Sequence, residues 1–184
     1  MIRNVFDYYS HLFQEENEIT AAYFITNTGT EYRIYFYPAG DYFDYIDMES
    51  LLYKDGYYFG FTKLTPNEEK IEPIDCKIRN TILNVIGEFF DEKGSEKVLI
   101  FHCDNGDGKK HKRALSFDNW YRLSDTKNRF RKYDEELVIN TLDDTNNLQT
   151  VIEYLSIIIE CSNPKEEEIL KEFQFIKETL IGDK

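Results

Sequence analysis

Residues 96–122, EKVLIFHCDNGDGKKHKRALSFDNWYR, contain the pattern on which the fold prediction depends. An apolar run from Val98 to Phe101 meets a Gly-rich turn at 104–108, and a second run returns through Arg113, Leu115 and Phe117 to Trp120, the only tryptophan. β-Forming residues on both sides of a five-residue Asn/Gly connection are typical of a β-hairpin. The sequence therefore predicts a hairpin over 96–117, followed by a single helical turn at 119–123 capped by Asp118 and a basic, polar loop at 124–132.

The composition is that of a globular protein with a large sheet. The chain has 184 residues, of which 41% are hydrophobic and 31% charged, a balance that argues against disorder. Aromatic residues make up 16% of the chain, and aromatic side chains favour strands. A chain of this length can bury a full core, and no linker or repeat interrupts it, so we expect a single domain over 1–184.

Cysteine usage and hydropathy predict a cytoplasmic protein. Cys76, Cys103 and Cys161 are widely spaced and form no Cys-x-x-Cys pair, which disfavours a disulfide framework and a thiolate zinc site. The first ten residues lack the basic start and apolar stretch of a signal peptide. The apolar runs are much shorter than the ~20 residues that span a bilayer, so no membrane partner is expected.

The N-terminal third alternates between helical and strand patterns. Apolar residues at helical spacing predict a short amphipathic helix over 4–15. Strict alternation on either side of an Asn/Gly turn predicts a hairpin of strands 20–26 and 31–37, and 56–64 reads as a third strand. Residues 41–55 show neither period clearly, which leaves a loop with a short helix or strand as alternatives.

Eleven aromatic residues lie between residues 35 and 61, and two interpretations apply to them. One is a stacking platform for bases or sugars. The other is a wide sheet whose core and cross-strand pairs use aromatic rings. The second is favoured because the rings alternate between both faces and Lys54 is the only basic residue within that stretch.

The rest of the chain predicts helices that cover a sheet. A broad apolar stripe between a cap at Asp75 or Cys76 and Gly94 predicts a core helix over 77–91. Residues 135–142 and 150–160 predict two strands, the second apolar on both faces and therefore central. Asn163 as cap, Pro164 and three glutamates predict a final helix over 164–181.

No motif in the sequence predicts catalysis, a cofactor or a metal site. The turn at 104–108 resembles part of a calcium loop, but the twelfth position, which requires a carboxylate, is Ala114. Neighbouring strand residues point to opposite faces, so His102 and Cys103 cannot form a nucleophile–base pair with each other. Phosphate-binding Gly-rich loops, His-Glu-x-x-His and Gly-x-Ser-x-Gly are all absent from the sequence.

Charge segregation is the sharpest functional signal. The chain has a net charge of −13, yet residues 109–132 contain nine basic and two acidic residues. Such a segment attracts anions in an otherwise acidic molecule. Basic residues mixed with aromatic ones are typical of nucleic-acid surfaces, while pairing of these bases with the protein's own acids is the alternative. The candidate anion- or partner-binding residues are Lys109, Lys110, Lys112, Arg113, Trp120, Arg122, Arg129 and Arg131.

Three short patterns also carry a family resemblance. They are Tyr23-x-Ile25 … Gly29-x-x-Tyr32-x-Ile34-x-Phe36, then Ile78-x-x-Thr81-Ile82 … Phe89-Phe90, then Cys103-Asp104-x-x-Asp107-Gly108 … Arg113-x-x-x-Phe117-x-x-Trp120. Together they resemble an uncharacterised family of small bacterial proteins known only as a domain of unknown function. The resemblance implies a single α+β domain and transfers no activity or site residue.

The sequence thus predicts an α+β fold with a mainly antiparallel sheet of about six or seven strands, packed by two or three helices. The leading functional hypothesis is a non-enzymatic interaction protein with an acidic body, an inhibitor or immunity-type partner of a basic protein. The alternative is a nucleic-acid-binding or nuclease-like protein that contacts phosphates through 109–132.

Overall fold

The computed structural model describes residues 7–17, 19–42, 47–64, 75–103, 110–123, 128–142 and 147–182. The elements in chain order are β1 (His11–Glu16), β2 (Ile19–Ile25), β3 (Glu31–Pro38), α1 (Ala39–Tyr42), α2 (Leu51–Asp55), β4 (Gly56–Lys63), α3 (Cys76–Lys93), β5 (Val98–His102), α4 (Lys110–Leu123), β6 (Phe130–Leu142), β7 (Leu148–Glu160) and α5 (Glu166–Gly182). Hydrogen bonds join the strands in the order β1-β2-β3-β4-β5-β7-β6. The β4–β5 pair is parallel, whereas β1–β2, β2–β3, β5–β7 and β6–β7 are antiparallel. The predicted α+β fold class is therefore confirmed.

The chain divides into two compact units, 1–37 with 59–94 and 38–58 with 95–184. The prediction of a single domain stays a prediction. The first unit contains β1, β2, β3, the second half of β4 and α3, and its core is aromatic: Phe36 stacks on Phe89 at 4.2 Å and lies 5.5 Å from Phe59. The wide apolar stripe of α3 is buried in this core, as the sequence predicts.

Both predicted ends of α3 are confirmed. The Asp75 carboxylate accepts a hydrogen bond from the Lys77 N–H at 2.8 Å, which is the geometry of a helix N-cap. At the other end Gly94 donates its N–H to the Phe90 carbonyl at 2.9 Å, and it adopts a positive φ of 105° that glycine tolerates without steric cost.

The predicted N-terminal helix over 4–15 is wrong. Residues 7–10 have no regular structure, 1–6 lie outside the described residues, and 11–16 form the edge strand β1. β1 pairs with β2 from His11 opposite Phe24 to Glu16 opposite Ile19. The helical spacing of apolar residues was misleading because the backbone of residues 11–16 pairs with the outer edge of β2, a segment outside the local sequence pattern.

In the second unit the predicted hairpin over 96–117 is also wrong, because a strand is followed by a helix. Val98–Phe101 is buried at every position, so β5 is an internal strand that takes β4 and β7 as partners. The returning segment is α4, in which Phe117 and Trp120 lie on neighbouring turns with ring centroids 6.2 Å apart. The turn at 104–108 lies outside the described residues.

Other boundaries also differ from prediction. The single helical turn predicted at 119–123 is the end of the longer helix α4, so Asp118 is an interior residue rather than a cap. The predicted loop at 124–132 is wrong for 130–132, which begin β6, and 124–127 lie outside the described residues. The undecided segment 41–55 contains the end of α1 and the whole of α2.

The other predicted strands are confirmed, and the last helix forms but begins at Glu166 instead of at 164. The β2–β3 hairpin and β4 form as expected, and β7 lies between β5 and β6 as the predicted central strand. Asn163 caps the last helix, because its side-chain carbonyl accepts the Lys165 N–H at 2.9 Å.

Helices α4 and α5 contact opposite faces of the sheet in the second unit. Phe117 of α4 stacks on Phe101 of β5 at 4.7 Å, and Asp118 of α4 lies 4.0 Å from the ammonium of Lys132. The next residue along β6, Tyr133, donates its hydroxyl to Glu166 of α5. Because successive strand residues point to opposite faces, α4 and α5 enclose this sheet from both sides.

Candidate interaction surface

The first predicted basic residues cluster at the start of a helix. Lys110, Lys112 and Arg113 lie in the first turn of α4. Lys109 and Lys127 lie outside the described residues. A helix in place of the predicted hairpin strand puts these three positions within about one turn of each other.

The later basic residues are paired with carboxylates. Arg122 lies 3.0 Å from Asp118, and Arg129 lies 2.6 Å from Glu160. Arg131 pairs with Glu166, and Lys132 with Asp134. The alternative noted above, neutralisation by the protein's own acids, therefore describes these four cations.

The pair of Arg131 with Glu166 affects the protonation of its members. The hydrogen bond from Arg131 lowers the pKa of Glu166, and the bond from the Tyr133 hydroxyl lowers it further. Burial and the bond to Glu166 raise the pKa of Tyr133. All three groups thus keep their ordinary charge states, and the charge of Arg131 is compensated within the protein.

Trp120 is partly buried. It lies beside Phe117, which is 3% exposed and packs on Phe101. Trp120 therefore packs next to the aromatic contact between α4 and β5.

The side chains of His102 and Cys103 have different surroundings. The His102 imidazole Nε2 lies 2.8 Å from the Glu153 carboxylate, while Cys103 is buried at 2% exposure. The expectation that the two side chains point to opposite faces agrees with this difference in surroundings. Asp104, the other residue considered for His102, lies outside the described residues.

The two longest strands, β6 and β7, form a second candidate surface. The β6–β7 ladder runs from Phe130 opposite Glu160 to Leu142 opposite Leu148, whereas β5 pairs with β7 only as far as Leu155. Residues 137–142 and 148–153, which we call the arm, therefore have only each other as strand partners among the described residues. A two-stranded ribbon without further packing is only marginally stable in water.

The arm exposes large apolar side chains. Val138 lies directly opposite Ile152, and the two are 45% and 38% exposed. Leu148 is 74% exposed. Positions 148 and 152 are four residues apart on one strand, so all three side chains share one face of the arm.

The arm and its base are also acidic. From residue 133 to residue 164 the sequence contains no lysine, arginine or histidine. The same stretch contains seven acidic residues: Asp134, Glu135, Glu136, Asp143, Asp144, Glu153 and Glu160. Glu136 is exposed at the base of the arm. Sequence reasoning directed attention to the basic segment, although the absence of basic residues over this stretch was an equally visible signal.

The described residues contain neither a cluster of metal-ligating side chains nor a membrane-spanning helix. Within the described residues no three histidine, cysteine, aspartate or glutamate side chains come together as metal ligands would. The described helices include none that is both long enough and apolar enough to cross a bilayer.

Comparison with known proteins gives a family but no characterised relative. No curated protein and no solved structure matches the chain significantly. A family model described as a family of unknown function, DUF6169, matches residues 74–175, which include α3, β5, α4, β6 and β7. The matched region covers more than half of the chain and contains the whole arm. The protein belongs to this family of unknown function, DUF6169.

Proposed function

We propose that this protein is a non-enzymatic cytosolic interaction protein, of the inhibitor or immunity type, that binds a basic protein through the arm. The observation that carries the proposal is the exposed pair Val138–Ile152 on a ribbon with no basic residue in its sequence. Apolar side chains supply the buried centre of a protein interface, and surrounding charges select the partner.

The charge of the whole chain supports the same partner chemistry. With a net charge of −13, the protein attracts a basic partner from a distance and repels nucleic acid and anionic membranes on average. The acids at the base of the arm, such as the exposed Glu136, then lie beside the apolar contact. A partner surface with lysines or arginines around an apolar patch matches this arrangement.

The ladder geometry offers a second kind of contact. β6 is the last strand in the hydrogen-bonded order, so its outer edge carries backbone groups that have no strand partner in the described part of the chain. An extended segment of a partner can pair with such an edge. Backbone pairing supplies affinity, and the Val138–Ile152 face supplies selectivity.

The test is capture from a cell extract with matched variants. The arm variant is Val138→Ser with Ile152→Ser, and the control is Leu12→Ser with Ile25→Ser, which removes exposed apolar side chains from the first unit. We expect the wild type and the control to retain the same basic protein and the arm variant to lose it. Retention should weaken as salt rises from about 0.05 M to 0.5 M, because ions screen the charge attraction. Binding of the purified partner by calorimetry then confirms the contact.

Two results would overturn the proposal. One is a captured protein that is acidic, or that the arm variant retains as well as the wild type does. The other is a dimer of the purified chain, detected by light scattering, that the arm variant abolishes; the arm would then be a self-association surface.

The alternative function, phosphate contact through 109–132, is favoured by one observation. Lys110, Lys112 and Arg113 share the first turn of α4, which places three basic residues close together. We expect Lys110→Glu with Lys112→Glu to abolish a salt-dependent gel shift of duplex DNA or single-stranded RNA if this function holds. These variants test the idea better than changes at Arg129 or Arg131, whose loss would also break ion pairs with Glu160 and Glu166.

A further inference from the structure

A cavity of about 780 Å³ lies within the first unit, at one end of its sheet. Its wall comes from the segment that enters β1, from the end of β2, from the start of β3 and from Leu64, which follows β4. Leu64 is held beside β3, because its N–H donates to the Glu31 carbonyl at 2.9 Å. Small-molecule sites are concave and typically enclose about 300–1,000 Å³, so this cavity has the size of a ligand site.

Exposed apolar side chains are concentrated around this cavity. Single exposed apolar residues are ordinary on a protein surface, whereas a contiguous group of them marks a binding surface. Among the described residues, four large exposed side chains line the cavity: Tyr8 at 44% exposure, Leu12 at 62%, Ile25 at 58% and Leu64 at 44%. The cavity therefore presents apolar area that a ligand can remove from water.

Strand register places much of this apolar wall on one face of the sheet. Leu12 lies directly opposite Tyr23, and Ile25 follows Tyr23 by two residues on β2, so the three side chains share a face. Thr20 of β2 points to the other face, and it lies opposite Phe36, whose ring stacks on α3. The face that carries Leu12, Tyr23 and Ile25 is therefore the one that α3 does not cover.

The ionisable groups in the rest of the wall already have partners within the protein. The pairs are the Tyr9 hydroxyl with Asp75 at 2.5 Å, the His11 imidazole with Glu88 at 2.9 Å, and the Lys77 ammonium with Asp7 at 2.8 Å. Glu31 also lines the cavity and is exposed, so water and ions screen its charge. A ligand therefore gains little here from a charge and gains most from apolar area.

We propose that the cavity binds a small, uncharged aromatic compound, which packs between Leu12, Ile25 and Leu64. Removal of these aliphatic side chains from water supplies the affinity. The wall contains five tyrosine and phenylalanine rings, and aromatic rings pack favourably on one another, which favours a ring over an alkyl chain. The site is independent of the arm and of the partner proposed above.

The experiment is a titration followed by methyl NMR. Protein labelled with ¹³C at the methyl groups of isoleucine, leucine and valine is titrated with 2-naphthol and, separately, with naphthalene-2-sulfonate, which has the same rings and a negative charge. We expect 2-naphthol to shift the methyl resonances of Leu12, Ile25 and Leu64 along one saturating curve. The sulfonate should bind about tenfold more weakly or worse, because a charge that leaves water without a partner is costly.

Matched variants test whether these side chains form the site. Leu12→Ser with Ile25→Ser should weaken 2-naphthol binding about tenfold or more, measured at the Leu64 methyl groups, because apolar area that the ligand buries is lost. The control is Met48→Ser with Leu115→Ser, which removes exposed apolar side chains outside the cavity and should leave the affinity unchanged.

Three results would each overturn the proposal. The first is that 2-naphthol moves none of the methyl resonances of the cavity, or moves them without saturation. The second is that the sulfonate binds as tightly as 2-naphthol, which would exclude an uncharged ligand class. The third is an unchanged affinity in Leu12→Ser with Ile25→Ser. The titration of the wild type locates the bound compound even if this variant fails to fold.

Discussion

Val138 and Ile152 face each other across the β6–β7 ladder, and both side chains remain substantially exposed. In a strand pair inside a folded sheet, such a directly opposed apolar pair is normally buried on one face. Here the pair lies beyond the end of β5, so β5 does not cover it. An exposed apolar pair of this kind is more typical of a protein–protein interface than of the folded core.

The first prediction follows from this exposure. Replacing Val138 and Ile152 with threonine should change the free energy of unfolding by less than about 0.5 kcal/mol, because threonine keeps the β-branched shape and surface changes cost little. The matched control is Ile157→Ala, a fully buried position further along β7, which should cost about 2–5 kcal/mol. Urea unfolding monitored by circular dichroism measures both. A large decrease in the free energy of unfolding of the threonine variant would mean that the pair stabilises the fold.

The second prediction concerns Glu172 of α5, which caps a helix distant in sequence. Its two carboxylate oxygens accept the N–H groups of Leu51 at 3.0 Å and Leu52 at 3.1 Å, at the start of α2. Glu172→Ala should destabilise the protein by about 1–2 kcal/mol, because these helix-terminal donors lose their acceptors. Glu172→Gln, with one carbonyl acceptor, should cost less. Lys171→Ala, at an exposed neighbouring position, should be nearly neutral in the same urea experiment.

The third prediction concerns acid stability and Asp55. Burial alone raises the pKa of Asp55, but hydrogen bonds from Lys97 at 2.8 Å and Lys165 at 3.0 Å outweigh burial and hold the pKa below its usual value. A lowered pKa in the folded protein means that the unfolded chain binds more protons. The contribution of Asp55 is therefore complete above the unfolded pKa of about 3.9 and is lost as the pH falls through the folded value.

Asp55→Asn should accordingly reduce stability at pH 7 by about 1–2 kcal/mol, a value limited by solvent screening of the partly exposed lysines. The difference from the wild type should shrink as the pH falls from about 5 to 2. Thermal unfolding measured across this range provides the test, with Glu167→Gln at an exposed position as control. A difference that is constant with pH would show that the charge of Asp55 contributes nothing.

The fourth prediction compares two glycines of β4. A Cβ atom at Gly56 would lie 2.0 Å from the backbone carbonyl oxygen of Leu52, whereas the three atoms nearest to one at Gly60 all belong to the side chain of Tyr35. Gly56→Ala should cost about 3 kcal/mol, because backbone cannot move aside without breaking α2. Gly60→Ala should cost about 1–2 kcal/mol, because a ring can turn away.

A second substitution distinguishes the two causes. In a Tyr35→Ala background the cost of Gly60→Ala should disappear, while that of Gly56→Ala should be unchanged. Equal costs of Gly60→Ala in both backgrounds would mean that the ring of Tyr35 does not lie over this glycine. Urea unfolding of the wild type, the three single variants and the two double variants completes both cycles.

The sequence predicts elements best where local chemistry and tertiary role agree. Helix α3 was predicted with both its caps because Asp75, Gly94 and the apolar stripe between them act within one segment. The β2–β3 hairpin likewise closes through its own turn, where Gly29 has a positive φ of 81°. In both cases the signals lie within about twenty residues, so no distant partner is required.

Predictions failed where a distant segment supplies the partner. β1 carries a helical pattern but pairs with β2, and β5 takes partners on both sides, so the segment after it is free to form α4. The sequence likewise did not predict the ion pairs of Arg129 and Arg131, because their partners Glu160 and Glu166 lie far along the chain. A charge count along the sequence does not show which charges meet.

The sequence by itself determined the fold class, the caps of the long helices and the central position of β7, because each depends on residue types within a short window. Only the tertiary structure decided that β7 extends beyond β5 and leaves Val138 and Ile152 exposed, and that Glu160 and Glu166 pair with Arg129 and Arg131. Exposure and charge pairing depend on which distant segments come together, and chain order alone does not specify those contacts.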